Sequence, residues 1–190
     1  MKYFSFFALL IAANFSIAQP LIMNPSISSD GSKIAFSYQG DIWTVPAEGG
    51  RVDRITIHEG YETNPVWSAD GEKIVFTSDR YGNYDVFSVD AMGGTPVRHT
   101  YHSANDYAYS VSGYDEILFI TNRIYAQVER EDEIYSVRVG QGTPTRFMDA
   151  LGFDPVLSPD GSKVAFVRGT CRTAREAYRG PANRNIWVFD

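Results

Sequence analysis

The chain has 190 residues, 44% of them hydrophobic and 14% aromatic, which is enough to bury one real core. Its formal net charge of −6 argues against a duty on nucleic acid, whose phosphates call for Lys/Arg-rich surfaces. Gly, Tyr and Phe each outnumber Leu, Glu and Lys, a mix that suits strands and tight turns.

The N-terminus differs from the rest. Lys2 supplies a short positive start, Phe4 to Ile11 form an apolar run, and Ser16-Ile17-Ala18 place small residues before Gln19. This pattern predicts a secretory signal peptide over residues 1–18, cleaved after Ala18. The apolar run is too short to span a bilayer, so the expected mature chain (19–190) is exported, periplasmic or extracellular, with no membrane span. The single cysteine, Cys171, permits neither an internal disulfide nor a zinc site, leaving packing and strand ladders to hold the fold.

From there the chain repeats itself. Pro25-Ser26-Ile27-Ser28-Ser29-Asp30-Gly31-Ser32-Lys33-Ile34-Ala35-Phe36 recurs from Pro65 to Phe76 and from Pro155 to Phe166. A worn copy running from Tyr107 to Phe119 has lost the Asp-Gly. Each unit continues with a second motif, Asp41-Ile42-Trp43-Thr44-Val45, echoed from Asp85, Glu133 and Asn185. A third motif is Gly49-Gly50 with Arg54-Ile55-Thr56, then Gly93-Gly94 with Arg98-His99-Thr100, and a weaker version from Gly140 to Phe147. The anchors Ile34, Ile74, Ile117 and Val164 are 40, 43 and 47 residues apart, a propeller-blade period.

Each motif fits one part of a blade. Ser-x-Asp-Gly is a tight turn, Lys-Ile-x-Phe an alternating half-buried strand, and Gly-Gly the next hairpin turn. In the first unit the predicted strands fall near residues 25–28, 33–38, 41–45 and 51–57. The fold class is therefore all-β: a β-propeller of four-stranded antiparallel blades, at about 21–57, 64–101, 107–148 and 154–190. That makes three full blades and three strands of a fourth. Rings need at least four blades and usually more to close, so the expectation is an incomplete ring within a longer protein.

The Ser-x-Asp-Gly-x-Lys-Ile-x-Phe unit resembles the TolB-type (PD40) blade of many exported propellers. Met23-Asn24-Pro25, Asp41-Ile42-Trp43 and above all the stretch from Ala177 through Tyr178-Arg179-Gly180 to Trp187 resemble the first propeller of tricorn-type proteases. The resemblance runs from about Leu21 to Asp190. It implies a six-bladed ring, followed in the same polypeptide by a seven-bladed propeller, a PDZ domain and a serine peptidase of the C-terminal-processing type. It also implies that this propeller roofs the catalytic chamber and governs the passage of peptides. The catalytic residues of that family lie in the late domains, so none is carried onto this chain. Some members hold a substrate carboxylate with a basic pair after Thr-Tyr-x-Ser. Here Thr100-Tyr101-His102-Ser103 leads into Ala104-Asn105-Asp106, with no such pair.

Alternation predicts that the loops between second and third strands share a face with the blade-to-blade loops. The former lengthen from 37–40 through 78–83 and 122–132 to 169–184. Loops on a rigid scaffold are where function sits. The last one supplies the candidate peptide or interface contacts Arg172, Arg175, Tyr178, Arg179 and Arg184, with Arg168 beside them. Clustered arginines in an acidic chain can grip a peptide carboxylate bidentately, but the favoured reading is that they pair with acids of a neighbouring blade or domain. His58, His99 and His102 lack metal-ligand spacing, the segment 129–133 reads as a solvated loop, and Cys171 as a small packed residue. No cofactor, metal or catalytic residue is expected in this chain.

Three functions follow, in order. The first is the non-catalytic, substrate-gating propeller of an exported tricorn-like serine peptidase, with peptides, the downstream domains and a homo-oligomer of the full-length protein as partners. The second is a TolB-like exported binding or scaffold propeller without peptidase activity, contacting proteins. The third is the propeller of a prolyl-oligopeptidase-type enzyme.

Overall fold

The computed structural model describes residues 21–113, 115–124, 132–158, 160–169 and 183–190. The segment 1–18, Cys171 and the candidate contacts Arg172, Arg175, Tyr178 and Arg179 lie outside the described residues.

Within them the chain is all strand and turn, in consecutive antiparallel sheets. The first sheet is β1 (Met23–Ile27), β2 (Lys33–Tyr38), β3 (Asp41–Pro46) and β4 (Asp53–Arg54), in that order. The second is β5 (Glu62–Trp67), β6 (Lys73–Ser78), β7 (Asp85–Asp90) and β8 (Val97–Arg98). The third is β9 (Asp106–Val111), β10 (Glu116–Thr121), β11 (Glu133–Arg138) and β12 (Gln141–Leu151). The fourth has three strands, β13 (Phe153–Leu157), β14 (Val164–Arg168) and β15 (Asn185–Phe189). Successive first strands (β1, β5, β9, β13) pack on one another, as propeller blades do.

The Ser-x-Asp-Gly turns close every first hairpin that carries them. Ser28 N–H donates to Lys33 O at 2.8 Å, and Gly31, at φ +72°, donates to Ser28 O at 2.9 Å. Asp30 Oδ1 accepts from Ser28 Oγ at 2.6 Å and from Ser32 N–H at 3.0 Å. These hydrogen bonds, the Ser28 hydroxyl first, hold the Asp30 carboxyl down at about 2. Asp70 and Asp160 repeat the arrangement. In the worn third copy the loop is one residue shorter, with Ser112 N–H bonding Glu116 O, and Asp115 (φ +57°) takes the left-handed place of glycine.

Packing follows strand alternation. Ile74 and Phe76 of β6 join Ala35, Ile42 and Ile55 of the first blade in one cluster. Val75 and Val86 turn the other way and join Ala108, Ile117 and Phe119 of the third. Leu118, Ile120 and Ile134 then meet Val164 and Phe166 of the fourth. Trp67, buried in the first of these clusters, also donates its indole N–H to Ser26 O at 3.1 Å.

The outer strands differ from expectation. A strand over 51–57 was predicted, but β4 pairs only at Asp53 and Arg54. The reason is a hydroxyl. Ile42 N–H donates to Thr56 Oγ1 at 2.9 Å instead of to a ladder carbonyl, while Ile55 and Thr56 N–H both turn to Ile42 O. Val86 and Thr100 do the same in the second blade. The corresponding residue of the third blade is Met148, which has no hydroxyl, and there β12 runs on to Leu151.

Trp67→Ala removes both the inter-blade filling and the indole hydrogen bond. It should destabilise the chain by about 3–5 kcal/mol, read as a lowered midpoint in urea unfolding followed by circular dichroism.

Candidate functional site

Both kinds of loop emerge on one face, where they are stitched together. Gly40 O accepts from Glu62 N–H at 2.9 Å, and Tyr84 O from Asp106 N–H at 2.8 Å. Asn83 Nδ2 donates to His102 O at 2.9 Å and to Ala104 O at 3.1 Å. Asp132 O accepts from Gly152 N–H at 2.8 Å. The first of the lengthening loops is tighter than the four residues read from sequence. It is a two-residue turn, Gln39-Gly40, with φ of +52° and +85°, because the β2–β3 ladder continues to Tyr38 and Asp41.

Under these loops lies a repeated set of buried charges. Asp41, Asp85 and Glu133 open the third strands and are buried. Each faces an arginine of the outer strand: Arg54 Nη2 at 2.5 Å, Arg98 Nη2 at 2.7 Å and Arg146 Nε at 3.7 Å. A second acid opens the first strand of the following blade. Glu62 is bonded by Arg80, and Asp106 by Arg123 Nη2, at 2.8 and 2.7 Å to its two oxygens. Those two arginines also lie on aromatic rings. Arg80 sits 4.7 Å from the Phe87 ring centre and 5.7 Å from that of Phe76, and Arg123 sits 4.8 Å from Tyr135 and 5.3 Å from Phe119.

Burial raises the Glu62 and Asp85 carboxyls, against the pull of their arginines, and the neighbouring Asp41 and Asp106 push them the same way. At the last junction glycine replaces the acid. A Cβ on Gly152 would lie 2.6 Å from both Phe166 Cδ2 and Val167 O, so no side chain fits. These pairs anchor the roots of the loops.

Of the sequence-predicted contacts, the described residues include Arg184, whose guanidinium stands 4.7 Å from the Phe153 ring centre. Arg168 lies 5.7 Å from that of Trp187. His99 is buried between blades. Gly140 N–H approaches its Nδ1 at 3.4 Å, which leaves Nε2 to donate to Ser88 Oγ at 2.8 Å. Burial alone pushes its pKa down to about 4. His58 and His102 each accept a backbone N–H on Nδ1 within their own loops. Among the described residues, no group of three His, Cys, Asp or Glu is arranged to hold a metal.

The acid–arginine pairs were missed in sequence. Their signal was the shared spacing of Asp41 with Arg54 and Thr56, and of Asp85 with Arg98 and Thr100, which reads first as strand and turn chemistry.

Comparison with known proteins gives the same architecture. Residues 19–190 match the family of tricorn protease N-terminal β-propeller domains. A Tricorn-like protease N-terminal subunit from Sulfurisphaera tokodaii is 26% identical over 145 residues, covering 73% of this chain and 71% of that protein. The Tol-Pal system protein TolB of Francisella tularensis is 28% identical over 165 residues, covering 80% of this chain but 36% of the relative. Among solved structures, TolB from Acinetobacter baumannii superposes with a TM-score of 0.69 at 23% identity, over 90% of this chain and 41% of that one. The tricorn protease gives 0.69 at 20% identity, over 89% of this chain and 17% of that one.

Two outcomes test the buried charges. Arg80→Met strands Glu62 without its partner and should cost about 3–5 kcal/mol, whereas Arg80→Met with Glu62→Met should recover most of that loss. Urea unfolding of the single and double variants decides it. The second concerns His99, whose folded pKa lies below its ordinary 6.5. Its contribution to stability is whole above pH 6.5 and is lost as pH falls toward 4, by at most about 1.4 kcal/mol per pH unit. The advantage of wild type over His99→Gln should therefore shrink across that window and stay flat above it. Parallel pH–stability curves would contradict the assignment.

Proposed function

Because the chain belongs to the family of tricorn protease N-terminal β-propeller domains, we propose that it is the non-catalytic gate of an exported serine peptidase, presenting peptides to a catalytic domain elsewhere in its parent protein. The observation that carries this is the family match across residues 19–190. The loop face gives it physical support: a rigid row of blades puts its longest connections on one side, where a passing chain would meet them.

Several finer points belong to the same proposal. Residues 1–18 act as the export signal, on the strength of Lys2, the apolar run and Ser16-Ile17-Ala18. The blades form part of a six-bladed ring, and the catalytic domain is of the C-terminal-processing type. Arg172, Arg175, Tyr178, Arg179 and Arg184 contact peptide or a neighbouring domain.

A second reading is favoured by the TolB relatives, which match over 80% of this chain. Here the propeller binds a protein partner and serves no peptidase.

The deciding experiment compares the full-length parent protein with a form lacking residues 19–190, on a short chromogenic peptide and on a long unfolded polypeptide. A gate predicts that selectivity between the two substrates collapses when the propeller is removed, while cleavage of the short peptide persists. Unchanged selectivity would remove the gating role, and a parent with no peptidase activity would favour the scaffold.

A further inference from the structure

Between the first two blades the loop face holds a cavity of about 420 Å³ that none of the repeated pairs fills. Its wall includes Leu21, Met23, Ser37, His58, Glu59 and Tyr61. Ser37 is the telling residue. It is 1% exposed, yet its hydroxyl has no hydrogen-bond partner among the described residues. In the second blade the same position is Thr77, whose Oγ1 accepts the Ala108 N–H of the next blade at 2.9 Å. The repeat thus gives this position a partner in one blade and leaves it buried without one, in the wall of a cavity, in the other. A buried hydroxyl without a partner is costly, and a ligand polar group relieves that cost.

The charges around the cavity select the kind of group. Glu59 is exposed and forms no ion pair among the described residues. The Asp79 carboxylate stands just behind, accepting Tyr61 N–H. The two arginines beside it are already committed, Arg54 to Asp41 and Arg80, whose backbone lies against Gly60, to Glu62. The Tyr61 ring, 38% exposed, adds a π face. Gly60 N–H donates to His58 Nδ1 at 2.8 Å, so a neutral ring presents Nε2–H outward as a donor. Leu21 is 74% exposed and offers apolar surface beside it. A lone anion would meet Glu59; a cation with an adjacent carbonyl and an aliphatic group meets complementary chemistry at every wall.

We propose that this cavity binds a primary ammonium group, best supplied by the free N-terminus of a peptide. Ser37 Oγ and the Glu59 carboxylate accept from the ammonium, His58 Nε2–H donates to the first carbonyl, and Leu21 and Met23 take the first side chain. The identity of the ligand as a peptide rests on the peptide-handling function proposed above; the ammonium chemistry does not.

The test is calorimetric titration of the full chain with three amidated probes: Leu-Ala-Gly-Gly with a free amino end, its N-acetyl form, and an N-acetylated tetrapeptide carrying one lysine. The free-amine peptide should bind. N-acetylation and Glu59→Gln should each weaken binding about tenfold, as loss of a charge-assisted hydrogen bond does. Ser37→Ala should weaken binding without lowering the melting temperature, since it removes a hydroxyl with no partner; a purely structural Ser37 would instead lower it. Tighter binding of the lysine probe would support the ammonium site with a side chain as its source. Equal binding of the acetylated and free peptides, or no binding of any probe, would overturn it. Binding of the free-amine peptide alongside unchanged selectivity in the truncation experiment would support this site while removing the gate, which keeps the two proposals distinguishable.

Discussion

A blade of this chain has no side fit for water, and the rest of the structure depends on that. In the second sheet Ile74 and Phe76 point into the first blade while Val75 and Val86 point into the third, all of them close to fully buried. A sheet that is apolar on both faces gains its stability only when sandwiched, at roughly 25 cal/mol for each Å² removed from water. The same alternation recurs in the third sheet, with Ile117 and Phe119 facing one neighbour and Leu118 and Ile120 the other. Stacking is therefore set by the strands themselves, and the polar chemistry is displaced to the ends of the sheets.

At one of those ends, charge replaces apolar contact. A buried ion pair seldom adds net stability, because desolvation offsets the attraction. What it adds here is position. Arg80 touches the acid that opens β5, the Ser78 hydroxyl that ends β6 and two aromatic faces at once, so three strand ends are tied by one guanidinium. Arg123 repeats this with Asp106, Thr121, Phe119 and Tyr135. Loops that start from such fixed points are held at their roots. That is the physical condition for a face that binds.

The blade period, the Asp-Gly turns and the alternating strands were legible in the sequence because each depends on near neighbours. Asp30, Gly31 and Lys33 make their contacts within five residues of Ser28, so their spacing carries the turn. The buried acids were not legible, since Asp41 opens a strand just after a turn, where an exposed Asp is equally at home. Its burial depends on Arg54 and on a neighbouring blade, neither of which a local pattern shows. The short outer strands were misread for a related reason: Thr56 is a good strand residue whose hydroxyl here takes the ladder's place. Ser37 was invisible altogether, because its meaning comes from contrast with Thr77, a residue one blade away.

Those contrasts matter because the repeats are equal in backbone and unequal in side chains. The first two junctions keep the full set of acid, arginine and threonine, whereas the third carries Glu133, Met148 and Gly152. The third also joins the two blades whose second-to-third-strand loops are longest in the sequence, 122–132 and 169–184. At the other end of the row the corresponding loop shrinks to Gln39-Gly40, and the space it leaves is bordered by Glu59 and Tyr61. The two ends of the row differ in charge: Glu59, with no ion pair among the described residues, lies beside the shortest loop, and the sequence concentrates arginine in the longest. A peptide is itself a molecule with a cationic end and an anionic end. A scaffold that repeats its backbone while sorting opposite charges to distant blades has the means to orient such a ligand, and a ring of identical blades does not.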